Sequence, residues 1–240
     1  MINIDRTILE AANLAAIELS YGPGETVYER GAPARLVCAV DQGALYRFRL
    51  MPGDKRSILQ FLFPGDGFGS EIGRHHRNTV QALTHIKVLA ASRDALLAAA
   101  ASDVRLSNLL FSLAASAAIA ADEKADMMRV KNAAEKIAQF LLELEDRLSI
   151  RGVIDLPMGR LQIADYFGLR IETVSRTFSA FHREKIIQYR NRVQRRIVIR
   201  NRQRLQELAS DASDLDYWSI LKNRETENTL IAARALTMSL

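Results

Sequence analysis

Glycine and proline are concentrated in one part of this chain, and their distribution constrains the fold more than any other feature. Nine of the twelve glycines and four of the five prolines lie within residues 22–73, whereas residues 74–151 contain neither. Both residue types mark tight turns and are unfavourable inside helices. We therefore expect an α+β chain, with short strands near the N-terminus followed by long helices.

The glycine-rich segment carries the alternation of a β-hairpin. The alternation includes Leu45, Phe48 and Leu50 before Pro52-Gly53-Asp54, and Ile58, Gln60 and Leu62 after it. Alternation on both sides of a turn predicts two paired antiparallel strands. Residues 79–91 form a further β-rich run. Residues 1–101 are thus predicted to form an antiparallel β-roll, similar to a cyclic-nucleotide-binding jelly roll.

A helix-turn-helix is predicted near the C-terminal side, in the segment GRLQIADYFGLRIETVSRTFSAFHREKII of residues 159–187. Ala164 is small where two helices approach, Gly168 suits a turn with positive φ, and Val174 is apolar where the second helix meets the first. The rest of the predicted inner face is Ile163, Phe167, Leu169, Phe178 and Phe181. An ordinary helical hairpin with a glycine turn is the alternative.

Basic residues follow this motif closely. The chain has a net charge of +5, and residues 183–204 contain nine Arg or Lys against one acid, Glu184. Apolar residues 186–187 and 197–199 flank the polar RNRVQRR, which predicts a wing hairpin. We expect phosphate contacts from Arg160, Arg170, Thr173, Arg183, Arg190, Arg192, Arg195 and Arg196. The alternative is a basic surface that is merely solvated.

Two helices are predicted between the roll and this motif, over residues 102–130 and 132–148. In the first, apolar residues recur at three- and four-residue spacing for about six turns. We expect this stripe to pair with a second chain, because helix-turn-helix proteins usually present two recognition helices to DNA. The predicted dimer residues are Leu106, Leu110, Leu113, Ala117, Ala120 and Met127. Packing against the roll is the alternative.

The complete order of roll, long helix, second helix and winged helix-turn-helix resembles the Crp/Fnr superfamily of bacterial transcription regulators. The motifs that carry this resemblance are PGETVYERG, QGALYRFRLMPGDKRSILQFLFPGDGFG, AAEKIAQFLLELEDRL and LPMGRLQIADYFGLRIETVSRTF. The resemblance extends to about Leu208. It implies a DNA-binding domain over residues 131–210, with residues 211–240, including Tyr217 and Trp218, as a tail of uncertain structure.

The second helix of the motif resembles the Fnr and FixK branches, in which it carries Glu-x-x-Ser-Arg. The matching residues here are Glu172, Ser175 and Arg176. Arg suits guanine, a carboxylate suits cytosine, and a Ser hydroxyl suits either, so these residues are expected to contact bases. The resemblance implies a palindrome of TTGAT-like half-sites. Glu172 and Arg176 also have the spacing of a surface ion pair.

Two positions depart from the family pattern, since Gly159 and Arg170 stand where Ser or Thr often caps a helix. Replacing such a cap costs about 1 kcal/mol of helix stability, and less for Gly. A phosphate contact by Arg170 is the expected compensation.

The resemblance also implies a ligand pocket in the roll, which would involve Gly69, Ser70, Glu71, His76 and Arg77. The family's phosphate-binding Arg-Ser pair corresponds to His76-Arg77, so the hydroxyl is missing. We expect no cofactor, with a cyclic nucleotide, or haem held through His75-His76, as the alternatives. The single cysteine, Cys38, excludes an Fnr-type iron–sulfur cluster. Cys38 is expected to be a buried thiol, with redox control as the alternative.

These features predict a homodimeric transcription regulator that binds double-stranded DNA and contacts RNA polymerase as an activator. The alternative is a small-molecule sensor whose DNA binding is gated by its ligand. An enzyme is not expected, because there are only four histidines and no His-x-His pattern. No apolar run is expected to reach membrane-spanning length, and MINIDRTILEA lacks the layout of a signal peptide. We therefore expect a cytoplasmic protein with no membrane partner.

Overall fold

The computed structural model describes residues 15–70, 73–130 and 132–210. Glu71 and the predictions for the 211–240 tail lie outside these residues. Within them the order is eight strands, three helices, one short strand, two helices, two strands and a final helix. The predicted α+β class, with strands first, is confirmed.

The N-terminal strands form two antiparallel sheets of four strands each. In chain order they are β1 Ala16–Tyr21, β2 Thr26–Tyr28, β3 Leu36–Gln42, β4 Leu45–Leu50, β5 Arg56–Leu62, β6 Gly67–Phe68, β7 Thr79–Ala82 and β8 Ile86–Ser92. One sheet has the order β1-β8-β3-β6 and the other β2-β7-β4-β5. Buried side chains of both sheets, among them Val40, Val88, Leu45 and Val80, form one apolar cluster. This arrangement is the predicted β-roll.

The predicted hairpin around Pro52-Gly53-Asp54 pairs β4 with β5, but its register shifts between Arg47 and Phe48. Because of this shift, Phe61 is buried, whereas Gln60 is only half-buried. An extra residue in one strand turns the following side chains to the opposite face, and strict alternation cannot anticipate it.

Two helices follow the roll, namely α1 Arg93–Ala100 and α2 Val104–Val130. The beginning of α2 packs on α1 and on the β1-β8-β3-β6 sheet, where Leu106, Leu109 and Leu113 join one buried cluster with Val37 and Leu89. The N-terminal part of the long helix is thus held by its own chain.

This packing corrects the predicted dimer stripe. Leu106, Leu113 and Met127 are buried inside the chain and are not available to a partner. Leu110, Ala117 and Ala120 are half-buried. A different face of α2 is exposed and apolar, and Phe111, with 75% of its surface accessible, is its largest member. We call this face the α2 seam; it comprises Val104, Phe111, Ala114, Ala118, Ala121, Ala125 and Met128.

Val104–Met128 is long and apolar enough, by length and composition alone, to cross a membrane. The expectation that no apolar run reaches such a length is therefore wrong. Little of this stretch is buried by its own chain. A helix that pairs along one face with a second protein chain has the same composition, because its seam must also be apolar.

The remaining elements are α3 Ala133–Leu148, β9 Ile154–Asp155, α4 Arg160–Phe167, α5 Ile171–Arg183, β10 Ile187–Tyr189, β11 Arg196–Ile199 and α6 Arg202–Ala209. The predicted helix over residues 132–148 is confirmed as α3, with Asn132 and Glu135 forming a reciprocal capping box. Helix α6 is tied to α3 by Arg202, whose guanidinium contacts Glu145 at 2.9 Å and Asp146 at 3.1 Å.

By the density of internal contacts, the described chain divides into two compact units. The first contains the roll, α1, α2 and residues 156–176, and the second contains residues 132–155 and 177–210. The division falls within α5. The first unit therefore includes α4 and the beginning of α5, which carries Glu172, Ser175 and Arg176.

Candidate nucleic-acid interface

The predicted helix-turn-helix is confirmed as α4, a turn at Gly168, and α5. Gly168 adopts φ +64°, and its N–H donates to the carbonyl of Ala164. Leu169 N–H donates to the same carbonyl at 3.0 Å. A residue with a side chain would be strained at this φ, which explains why glycine suits the turn.

The predicted inner face is largely buried. Ile163, Ala164, Phe167 and Val174 are buried in the first unit, and Leu169 is half-buried there. In the second unit, Phe178 and Phe181 of α5 are also buried. The apolar spacing of this segment therefore predicts positions that are mostly buried on both helices.

The helices α4 and α5, which lack a Ser or Thr cap, begin in different ways. Gly159 has no capping side chain, but Gln162 reaches back and accepts a hydrogen bond from the Gly159 N–H at 2.9 Å. This is one half of a capping box, and it satisfies a donor at the start of α4. Arg170 precedes α5 with its side chain exposed, and its carbonyl accepts the first helical hydrogen bond, from Val174 N–H at 3.2 Å. Its phosphate contact stays a prediction.

The residues predicted to contact bases form an exposed face on α5. Glu172, Ser175 and Arg176 are all exposed and lie three and four residues apart on the helix. No ion pair joins Glu172 to Arg176 in the described part of the chain. The carboxylate and guanidinium are thus both available to a ligand at the front of the helix.

The predicted wing is confirmed as the antiparallel pair β10–β11, which β9 extends to a three-stranded sheet. The N–H of Arg190 donates to the carbonyl of Arg196 at 2.8 Å and closes the hairpin. At its tip, Asn191 Oδ1 accepts hydrogen bonds from the N–H groups of Arg195 and Arg196 at 3.0 and 3.2 Å. Sequence reasoning missed this organising role of Asn191, although Asn is a common turn residue.

The predicted phosphate-contacting residues differ in their surroundings. Five guanidinium groups are on exposed residues: Arg170, Arg183, Arg190, Arg192 and Arg195. Arg160 and Thr173 are half-buried. Arg196 is exposed but already forms an ion pair with Asp155 at 3.0 Å. An exposed ion pair is weak, so it leaves Arg196 able to exchange partners.

In the roll, the described residues of the predicted pocket differ in burial. His76 is buried, and its ring stacks on that of Tyr28 with the centroids 3.5 Å apart. The neighbouring Arg77 is exposed, while Ser70 is half-buried. Gly69 has φ +85°, and a side chain there would collide with the Leu36 carbonyl. Cys38 is buried, as expected of a structural thiol.

The comparisons with known proteins agree with this architecture. Residues 18–103 match the model of the cyclic nucleotide-binding domain, and residues 135–208 match that of the Crp-like helix-turn-helix domain. The nitrogen fixation regulation protein FixK of Azorhizobium caulinodans is 31% identical over 221 residues, which cover 84% of this chain and 88% of that protein. The chain belongs to the Crp/Fnr family of transcription regulators.

Within the Crp/Fnr family, similarity is substantial to proteins of the FixK type. The structure of FixK2 from Bradyrhizobium japonicum superposes with a TM-score of 0.79 at 38% identity, covering 83% of this chain and all of that one. The transcriptional activatory protein AadR of Rhodopseudomonas palustris is 32% identical over 72% of this chain and 74% of its own length. This Crp/Fnr protein is thus a DNA-binding transcription regulator and not an enzyme.

Proposed function

We propose that this Crp/Fnr protein is a homodimeric activator that reads a palindrome of TTGAT-like half-sites through the front of α5. The observation that carries the proposal is the exposed trio Glu172, Ser175 and Arg176, one helical face whose carboxylate and guanidinium have no partner in the described chain. Those groups match the donor and acceptor pattern of cytosine and guanine in the major groove.

Pairing of two chains is supported by the α2 seam. Val104, Phe111, Ala118 and Ala125 follow one another at intervals of seven residues, and Ala114, Ala121 and Met128 form a second row with the same interval. Two apolar rows offset by three or four residues are the pattern of a coiled-coil seam. The small alanines would let the two helices approach closely.

Activation is proposed from the names of the relatives, and contact with RNA polymerase in the cytoplasm is proposed as what such activation would require. AadR is described by its name as an activatory protein, and FixK as a regulation protein. Transcription from a promoter that carries the palindrome, with purified RNA polymerase, tests this step. Added protein should increase transcript yield, and a decrease would indicate a repressor.

We further propose that the roll acts without a bound cyclic nucleotide or haem. The support is the position of His76, which is buried on Tyr28 where the resemblance implies a phosphate-binding Arg, while Arg77 faces solvent. A thermal shift with cyclic AMP or cyclic GMP, or a haem absorption band of the purified protein, would favour the ligand-gated alternative.

The decisive experiment is the titration of a labelled TTGAT-type palindrome against a scrambled duplex of equal length and composition. Specific recognition should give affinities that differ by roughly a thousandfold or more. Equal affinity for the two duplexes would contradict the proposal. Selection of bound DNA from random duplexes then defines the half-site and its spacing without any assumption about sequence.

A further inference from the structure

One histidine side chain of α5 contacts both ends of the first wing strand. His182 lies in the last turn of α5, and its Nδ1 is 3.3 Å from the carbonyl oxygen of Ile187, the first residue of β10. Because a carbonyl oxygen can only accept, Nδ1 carries the hydrogen of this bond. The ring centroid also lies 4.8 Å from that of Tyr189, the last residue of β10. We call His182, Ile187 and Tyr189 the wing junction.

The backbone between α5 and β10 is short and has a defined conformation. Residues 184–186 join the two elements, and Lys185 in their middle has φ +59°, which a residue with a side chain rarely adopts. Ile186 follows it, and its N–H donates to the Phe181 carbonyl at 2.9 Å, while its own carbonyl accepts from Arg200 N–H at 2.8 Å. The wing junction spans this link, and all of these residues lie in the second compact unit.

The wing junction lies next to the basic tip of the wing. Arg190 directly follows Tyr189, and its N–H donates to the Arg196 carbonyl at 2.8 Å. The guanidinium groups of Arg190, Arg192 and Arg195 are on exposed residues, and no ion pair joins them to an acid in the described chain. Because the tip is closed by its own hydrogen bonds, its orientation follows that of β10. The wing junction therefore sets the direction in which these three cations are presented.

We propose that His182 is a positioning residue that fixes the direction of the wing from the end of α5, so that base contacts and wing–phosphate contacts form in the same complex. This inference rests on the function proposed above. On the palindrome, base contacts fix the register of α5, so the wing reaches its phosphates from one direction only. On a scrambled duplex no register is fixed, and the wing binds phosphates wherever it points. His182 therefore contributes to specificity without contacting a base.

The central variant is His182→Ala, which removes both contacts of the ring. It should weaken palindrome binding by roughly tenfold, because a wing without a fixed direction must be ordered on binding, and should change the affinity for a scrambled duplex less than about twofold. The slope of log affinity against log salt should fall only for the palindrome, by about 0.9 for each wing arginine that loses its phosphate. His85→Ala, at an exposed histidine between β7 and β8, is the matched control and should follow the unmodified protein.

Two further variants separate the hydrogen bond from the ring contact. His182→Asn keeps an N–H donor near the position of Nδ1 and lacks the ring, whereas His182→Phe keeps a ring and lacks the donor. Each should lose only part of the palindrome affinity that His182→Ala loses. All three variants remove any charge of the imidazole alike, so a difference between them reports the contacts. Equal losses in all three would assign the effect to charge or to direct DNA contact, and would overturn the proposal.

Tyr189→Leu tests the wing junction from the side of the wing. It removes the ring partner of His182, so it should weaken palindrome binding and leave the affinity for a scrambled duplex nearly unchanged. In the His182→Asn background the ring contact is already absent, so Tyr189→Leu should have little further effect. Full additivity of these two substitutions would overturn the proposal, as would a His182→Ala protein that loses the same affinity for both duplexes.

Hydrogen–deuterium exchange without DNA separates this proposal from the assignment of the palindrome. Peptides that cover residues 187–199 should exchange faster in His182→Ala than in the unmodified protein, and peptides from the roll should exchange at the same rate in both. If this acceleration occurs while the unmodified protein binds palindrome and scrambled duplex alike, the proposed DNA site is wrong and the wing junction stands. If the palindrome is preferred but exchange in this segment is unchanged, the proposal for His182 fails alone.

Discussion

Arg176 follows Glu172 by one helical turn on the exposed face of α5, where its guanidinium has no partner in the described chain. A guanidinium that donates two hydrogen bonds to one guanine discriminates against other bases. Arg176→Ala should therefore reduce discrimination at one base pair of each half-site by about 1–3 kcal/mol. Competition assays with palindromes substituted singly at each position measure this loss. An equal loss of affinity for every duplex would assign Arg176 to the phosphate backbone.

Arg195 provides the contrasting case at the same scale. Its side chain is exposed at the wing tip, while its backbone N–H is held by Asn191 at 3.0 Å. Arg195→Ala should thus leave the hairpin intact and weaken binding to specific and scrambled duplexes alike. The slope of log affinity against log salt should fall by about one. A loss confined to the palindrome would instead show that Arg195 contributes to base recognition.

At the scale of elements, two turns with a glycine at positive φ differ in the space that they leave for a side chain. Gly43, between β3 and β4, and Gly24, before β2, both have positive φ, +84° and +83°. A Cβ at Gly43 would lie 2.2 Å from the His85 carbonyl oxygen, whereas a Cβ at Gly24 would meet nothing within 4 Å.

Alanine at either position should cost about 1–2 kcal/mol of stability from backbone strain. Gly43→Ala should lose about 1–3 kcal/mol more because of the collision. Denaturant unfolding of the two variants measures the difference. Equal losses would mean that the β3–β4 turn can move away from His85.

The elements themselves were predictable because their signals are local. The turn residues around Pro52-Gly53-Asp54 and the spacing around Gly168 each act within a few residues of chain, and the hairpin and the helix-turn-helix that they predict are confirmed. The face that α2 buries was not predictable. That helix is apolar on two sides, since Leu106 and Leu113 pack inward while Phe111 points outward. Periodicity shows that an apolar face exists, but only the sheet beneath α2 decides which face it covers.

In the candidate site, too, some residues could be predicted from the sequence, whereas the roles of others depend on tertiary contacts. Glu172, Ser175 and Arg176 could be identified by their resemblance to the Glu-x-x-Ser-Arg pattern, and helical spacing places them on one face whatever surrounds the helix. The roles of Gln162 at the start of α4 and of His182 at the end of α5 depend on contacts. In the case of His182 the partners are residues 187 and 189, which lie beyond the end of the helix, where helical spacing no longer applies.

At the scale of the whole molecule, the α2 seam predicts the oligomeric state. Phe111→Asp places a charge at the largest exposed apolar side chain of the seam, where a partner helix would have to bury it. The variant should dissociate to monomers, which analytical ultracentrifugation measures as a halved mass. Leu50→Asp, at an exposed leucine of the β4–β5 hairpin, is the matched control and should stay dimeric. A Phe111→Asp protein of unchanged mass would place the interface elsewhere.

The α2 seam also affects how promoter occupancy depends on the concentration of this protein in the cell. Under the proposed pairing, single chains expose Phe111 and the alanine rows to water and cannot present two recognition helices together. At concentrations below the dimer dissociation constant, the number of pairs rises with the square of the number of chains. Doubling synthesis would then raise the occupancy of a sparsely occupied promoter by nearly fourfold. The regulator would thus turn a gradual change in its own expression into a sharper change at its target promoters.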